Sequence, residues 1–348
     1  MISFKPNPQK PLSFFQQLTD YQITPTIKIE ISSDIELIVK NEGERLGLGS
    51  FKGLGGMYAV AHLISDQWEK IYGKPLETSE IFTKTIRDMA SSLCFVCASA
   101  GNHGIAVATG ARLLGARSRV YLSESVPASF EKDLLKLEAQ VIKKGSTYEA
   151  SMEAAIADAK HTQAILLADS SWPGYHYPPS LIMEGYTVIA DELRREFEQT
   201  DHWPSHVYLQ AGVGGFAGAM TYMIRHSWQT QPSIYIVEPE YAPCLKASHE
   251  AGKPTSVKGS ISSMGRLDCK NPSIIAFNIL QHSNVHYLTV SEKEAEAATH
   301  QLQQHGLITT PSGAAGYAAF IKNKFSHASQ AEKEFKPIIF ITENNHIK

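Results

Sequence analysis

The sequence predicts an α/β protein of two domains, with open and mostly parallel sheets flanked by helices. Three observations carry that reading. Short apolar runs alternate with helix-like segments over most of the chain, the pattern of parallel strands buried on both faces. The length of 348 residues corresponds to about two domains. Glycine-containing segments follow several predicted strands and open the next helix, where ligands of such sheets collect.

The elements follow in order. Residues 36–40 (ELIVK) read as a strand and 57–68 as a helix-like stretch. A strand at 93–98 leads into a helix over 103–114, then a strand at 119–122. A helix near 129–138 and a short strand at 139–143 come next. Residues 148–160 read as a helix, with apolar residues at 152, 155, 156 and 159. A strand at 165–168 and a helix over 186–197 follow, and further strands lie at 206–210, 234–237 and 338–341. No internal repeat is visible.

Composition excludes several classes. Hydrophobic residues make up 43% and charged residues 19%, enough for a sizeable core. The net charge of −3, with no basic stripe, argues against a nucleic-acid partner. No apolar run is long enough to span a bilayer, so no membrane partner is expected. The first residues lack the pattern of a signal peptide, and a cytoplasmic location is the expectation. Four cysteines are too few for a disulfide framework. Cys94 and Cys97 form C-x-x-C on a predicted strand, where residues three apart face opposite sides, which argues against a shared redox or metal site. His202 and His206 are spaced i,i+4, but Pro204 interrupts any helix between them, and no metal set is evident.

Four segments can carry chemistry. In Gly49-Ser50-Phe51-Lys52-Gly53-Leu54-Gly55-Gly56, one lysine sits among small residues beside an aromatic. A deprotonated lysine amine attacks an aldehyde to form a Schiff base, and glycines admit a bulky cofactor. The plainer alternative is a solvated lysine in a turn. Ser99-Ala100-Gly101-Asn102-His103-Gly104 opens a helix after a strand, and the Asn102 amide can meet a ring hydroxyl; a simple helix cap is the alternative. In the loop 210–218, Gly212, Val213, Gly214, Gly215 and Phe216 precede a helix, so backbone N–H groups and the helix dipole form an anion cradle. That loop suits either a single phosphate or a dinucleotide partnered by Glu238. Thr342 follows the last strand and can meet a ring nitrogen, or belong to a terminal turn. An aldehyde for Lys52, a ring hydroxyl for Asn102, a phosphate for the glycine loop and a ring nitrogen for Thr342 together describe pyridoxal 5′-phosphate.

The chain resembles the fold-type II pyridoxal-phosphate enzymes, the group of tryptophan synthase β, threonine dehydratase and cysteine synthase. Within that group it most resembles the diaminopropionate ammonia-lyases. The match runs in order over roughly residues 20 to 345. Its blocks are 40–56, Gly101-Asn102-His103-Gly104, Asp169-Ser170-Ser171-Trp172-Pro173-Gly174-Tyr175, 182–186, 210–219, Val237-Glu238-Pro239, Met264-Gly265-Arg266-Leu267-Asp268-Cys269 and 312–316.

The resemblance implies a large cofactor-binding domain (1–50 and 176–348), a small domain (51–175) and a cofactor cleft between them. Lys52 would hold the cofactor and, once displaced by a small amino-acid substrate, take its Cα proton. Asn102, 212–216 and Thr342 would bind the cofactor, and Ser99, Ala100, Gly101 and His103 the substrate. Asp169 matches a family carboxylate that would assist the leaving amine, its alternative being a strand-end cap. The activity implied is α,β-elimination of ammonia from a 2,3-diaminopropionate-like amino acid, giving pyruvate. A serine/threonine dehydratase, a β-replacement synthase, and a non-catalytic cofactor-binding regulator are the alternatives. A homodimer is implied. Cys244 and Cys269 match two cysteines that can pair in the ammonia-lyase.

The chain also departs from that family. Ala100 stands where the ammonia-lyases typically have the Asp that serves the D-substrate, and alanine cannot transfer a proton. Pro311 replaces a frequent Glu, the last block reads Thr-Glu-Asn-Asn, and the span between 68 and 93 is short. Altered substrate choice is the implication.

Overall fold

The structure, a computed structural model, describes residues 4–99, 101–124, 126–328 and 335–345. Two sheets organise it. The larger has six strands in the order β1 (Thr26–Ser32), β2 (Ile35–Asn41), β10 (Pro337–Ile341), β7 (His206–Gln210), β8 (Ser233–Pro239) and β9 (His286–Val290). The smaller has the order β5 (Gln140–Lys143), β4 (Arg117–Leu122), β3 (Cys94–Ala98) and β6 (Ile165–Leu166). Every pairing is parallel except β1 with β2.

Strand periodicity explains how each sheet separates two cores. In β2, Ile38 joins the main core while Leu37 and Val39 pack on the opposite face, and β10 repeats this with Ile338 and Phe340 against Ile339 and Ile341. In β3, Phe95 and Cys97 enter the main core, while Val96 and Ala98 face the cluster under α6 (Tyr148–Thr162). Cys94 packs against that second cluster, so the C-x-x-C pair is split across the sheet as the strand reading requires.

Helix α2 (Lys52–Tyr72) is the hub of the main core and packs against α4 (Asn102–Leu113) and α7 (Tyr177–Thr200). Its glycines permit this. A Cβ on Gly55 would lie 2.4 Å from Tyr186 Cε1, and one on Gly185 of α7 would lie 2.1 Å from the Leu54 carbonyl oxygen. The two backbones therefore approach as only glycine allows.

Two helix boundaries differ from the sequence reading. Helix α2 begins at Lys52, because the glycines that read as a turn are helical and buried by neighbours. Helix α7 begins at Tyr177, because prolines are tolerated in the first turn, where their missing N–H groups have no helical acceptor. Helices α1 (Gln9–Phe15), α3 (Lys84–Ala90), α9 (Cys244–Ala251), α10 (Ile274–Gln281), α11 (Glu292–Gln304) and α12 (Pro311–Ala328), and strands β1 and β9, were not expected. Alanine-rich faces such as Ala295, Ala298 and Leu302 give little hydrophobic periodicity, yet they are buried. Among the described residues, no helix is long and apolar enough to cross a membrane.

Candidate active site

The carboxyl ends of β3, β6, β7 and β10 face one cleft. The segments singled out from the sequence converge there. Lys52, Ser99, Gly101, Asn102, His103, Asp169, the run 212–216 and Thr342 all line it. Ala100 lies outside the described residues.

Lys52 is pinned from below. Phe51 N–H donates to the Thr342 carbonyl (3.2 Å) and Asn344 N–H to that of Gly49 (3.0 Å), tying the lysine turn to the end of β10. Lys52 Nζ then reaches Asp169, Nζ donating to Oδ2 at 2.6 Å. Burial opposes the lysine's charge, but the Asp169 carboxylate beside it outweighs burial and holds its pKa above the ordinary range. Burial likewise opposes the carboxylate, yet Lys52 draws Asp169 down to about 2. Asp169 is thus an ion-pair partner rather than a strand-end cap.

The segment carrying Asp169, just past the end of β6, is buttressed locally. Tyr175 accepts from Ala168 N–H (3.0 Å) and donates to the Leu166 carbonyl (2.8 Å), while its ring stacks on Trp172 at 4.3 Å. The Trp172-to-Tyr175 block is therefore a clamp on the site.

Ser99 shapes the next loop. Its hydroxyl oxygen accepts from Gly101 N–H (2.9 Å) and Gly104 N–H (2.8 Å), so it closes the first turn of α4. Asn102 Nδ2 donates to Glu343, and its Oδ1 is buried without a partner. Burial lowers the His103 pKa, keeping the ring neutral. His103 Nε2 bonds the Leu167 carbonyl at 2.8 Å, which assigns the proton to Nε2 and leaves Nδ1 bare.

The glycine loop ends at Gly214, whose φ of 98° caps α8 (Gly215–Ser227) with no side-chain cap. A Cβ on Gly212 would stand 2.9 Å from Cys269 Sγ and 3.1 Å from the Arg266 carbonyl oxygen. The first turn of α8 thus presents backbone N–H groups to the cleft with nothing of its own to satisfy them. Glu238 is not available as a dinucleotide partner, since its two oxygens accept from Leu245 N–H (2.7 Å) and Lys246 N–H (2.8 Å). Thr342 Oγ1 accepts from Gln210 Nε2 at 3.2 Å, so its own proton remains to donate.

These residues fit pyridoxal phosphate. An uncapped helix N-terminus suits its phosphate, a free hydroxyl proton its ring nitrogen, and the half-buried amine of Lys52 its aldehyde. A family model described as pyridoxal-phosphate dependent enzyme matches residues 18–342. The chain belongs to that family. It is an enzyme with pyridoxal 5′-phosphate as cofactor, and its fold is the fold-type II arrangement.

Among this family's curated members, the diaminopropionate ammonia-lyase of Salmonella typhimurium is 31% identical over 290 residues, covering 81% of this chain and 72% of that protein. A probable D-serine dehydratase of Sinorhizobium medicae is 24% identical, covering 78% and 63%. Of solved structures, the Escherichia coli diaminopropionate ammonia-lyase in complex with an aminoacrylate-PLP azomethine reaction intermediate superposes with a TM-score of 0.86 at 24% identity, covering 99% and 92%. That likeness shows the fold.

Sequence reasoning gave no site role to several cleft residues, Tyr148, Tyr186, Gln210, Arg266 and Glu343 among them, although all but Tyr148 fall in segments it singled out. Gln210 and Glu343 lie inside loops it did identify, and that membership was the available signal. Tyr148 and Arg266 reach the cleft only through tertiary packing. Cys244 and Cys269 both carry free thiols, so the pairing that the family match allowed is not formed. No group of metal-binding side chains occurs among the described residues.

Proposed function

We propose that this enzyme eliminates across the Cα–Cβ bond of a small β-substituted amino acid, 2,3-diaminopropionate in the first instance, releasing ammonia and leaving pyruvate. The single observation that carries this is the Lys52–Asp169 pair at 2.6 Å on the floor of the cleft. It joins a proton carrier to a carboxylate within reach of one substrate. Bound pyridoxal phosphate supplies the electron sink that makes the Cα–H acidic. Lys52 holds the cofactor until substrate arrives, and its freed amine then takes the Cα proton. Asp169, released from its lysine partner, faces the substrate's β-ammonium and holds that group in the protonated form in which it departs. The N-terminal turn of α4, with Gly101 and the His103 backbone rather than its ring, receives the α-carboxylate. Asn102 orients the ring from its hydroxyl side, the N-terminal turn of α8 binds the phosphate, and Thr342 donates to the ring nitrogen. A hydroxyl partner leaves that nitrogen unprotonated, which suits β-elimination.

The cleft reading divides the chain into a small domain of 51–175 and a large domain of 1–50 with 176–348. In support, the smaller sheet draws its strands from 94–166 and the larger from 26–41 and 206–341. A cytoplasmic homodimer completes the proposal, and light scattering of the purified enzyme tests the dimer.

The function is tested with purified protein by recording the visible absorbance of bound cofactor, adding 2,3-diaminopropionate or serine, and measuring pyruvate and ammonia. Cofactor absorbance with product from 2,3-diaminopropionate is expected. Absorbance without product from either amino acid would instead mark a binding protein. Lys52→Ala should lose the covalently held cofactor and turnover together, and retained turnover would remove Lys52 from the mechanism.

A further inference from the structure

We propose that Arg266 reads a second acidic group on the substrate, so that the preferred amino acid carries a carboxylate on its β-carbon beside the leaving group. This rests on the elimination reading above and narrows its substrate class.

Charge accounting in the cleft wall leads there. Its carboxylates are Asp169, Asp268 and Glu343, and each already has a donor. Asp169 takes Lys52; Asp268 takes Lys270 Nζ and, at 3.2 Å, Ser262 N–H; Glu343 takes Asn102 Nδ2 on one oxygen and Thr310 Oγ1 on the other. Arg266 is different. Its side chain is 27% exposed, its Nε is buried without a hydrogen-bond partner, and the nearest carboxylate oxygen, Glu343 Oε2, stands 3.9 Å away. That distance is beyond hydrogen-bond range.

The guanidinium is also held in place. It lies over the Phe130 ring at 4.8 Å, and the Arg266 backbone N–H donates to Ser312 Oγ at 3.1 Å. A guanidinium cannot shed its proton, and its planar fork matches a carboxylate. Among the described residues of the wall, Lys52 and Arg266 are the lysine and arginine side chains, and Lys52 is committed to Asp169 or the cofactor, which leaves Arg266 as the permanent cation. Its one ion-pair partner among the described residues, Glu343, stands too far off to hydrogen-bond and has both oxygens engaged by Asn102 and Thr310, so this aromatic-backed, partly desolvated cation keeps its hydrogen-bonding fork for an anion brought by the ligand.

Two substrate pairs test this, each sharing a leaving group and differing by one carboxylate: 2,3-diaminosuccinate against 2,3-diaminopropionate, and 3-hydroxyaspartate against serine. With the cofactor-loaded enzyme, kcat/KM should favour the dicarboxylate of each pair. In Arg266→Gln that preference should fall about 10- to 100-fold, mainly through KM, and Arg266→Lys should restore part of it. A wild-type enzyme that prefers the monocarboxylates, or an Arg266→Gln variant that weakens both members of a pair equally, would overturn the proposal. The second result would mark Arg266 as a partner of the shared α-carboxylate. Binding is read separately by competition with succinate, followed through the cofactor absorbance. Arg266-dependent succinate binding without turnover of any of the four amino acids would sink the elimination reading and leave the anion-reading role standing.

Discussion

Two buried polar clusters lie on either side of the turn that leads into Lys52, and they differ in one respect. In the first, Lys40, Glu42, Arg45 and Glu192 form a neutral set in which donors and acceptors match. Arg45 bonds Glu42 through Nε (2.8 Å) and Glu192 through two nitrogens (2.7 Å each); Lys40 reaches Glu192 (3.0 Å) and the Thr24 carbonyl (2.8 Å); Tyr21 donates to Glu192 (2.8 Å). In the second, the cleft, Asn102 Oδ1, His103 Nδ1, Gln210 Oε1, Tyr186 OH and Arg266 Nε are buried without partners. A buried polar group left unpaired costs stability, so such groups persist where a ligand completes them. The satisfied cluster holds the fold, and the unsatisfied one is the site.

The largest effect is expected where the satisfied cluster is broken. Glu192→Ala strips Arg45, Lys40 and Tyr21 of an acceptor and should cost about 3–5 kcal/mol in urea unfolding. A loss below about 1 kcal/mol would show that the network is as dispensable as a surface pair. In the cleft the order of effects reverses. Asn102→Ala removes a group that is already half-satisfied, so stability without cofactor should change by less than about 1 kcal/mol, while cofactor affinity falls about 10-fold. Equal damage to both properties would erase the distinction.

The smallest effect is in pH. The folded pKa of His103 lies below its unfolded value, since burial opposes the charge. The unfolded chain therefore binds the extra proton. Stability is fully present above about 6.5 and declines as pH falls below it, by at most about 1.4 kcal/mol per pH unit. Denaturation midpoints between pH 5 and 7 should show that slope in the wild type, with His103→Gln flattening it. An unchanged slope in the variant would assign the proton elsewhere.

Much of the fold was legible because parallel strands buried on both faces are written as compact apolar runs; 206–210 and 338–341 match β7 and β10 within a residue. The expected helix at 57–68 was too short because Gly53, Gly55 and Gly56 read as turn formers, and only the closeness of Tyr186 to Gly55 and of Ala106 to Gly56 explains those two as helix residues. The glycine loop, Lys52, Asn102 and Thr342 were legible as a set because each follows a strand and matches one functional group of a single ligand. Arg266 was not, because nothing in its local sequence shows which way its side chain points.

The sequence by itself determined the alternation of strands and helices, the loops that meet at the strand ends, and the lysine suited to an aldehyde cofactor. Those properties are local: side-chain periodicity, backbone freedom at glycine, and the nucleophilicity of an amine. Tertiary structure alone decided which polar groups are paired. It joined Lys52 to Asp169, spent Glu238 on a helix end, tied Glu343 to Asn102, and left Arg266 facing the cleft. Hydrogen bonds and ion pairs form between atoms a few ångströms apart, and sequence separation does not fix that distance. Asn102 and Glu343 are 241 residues apart in the chain and meet in the cleft.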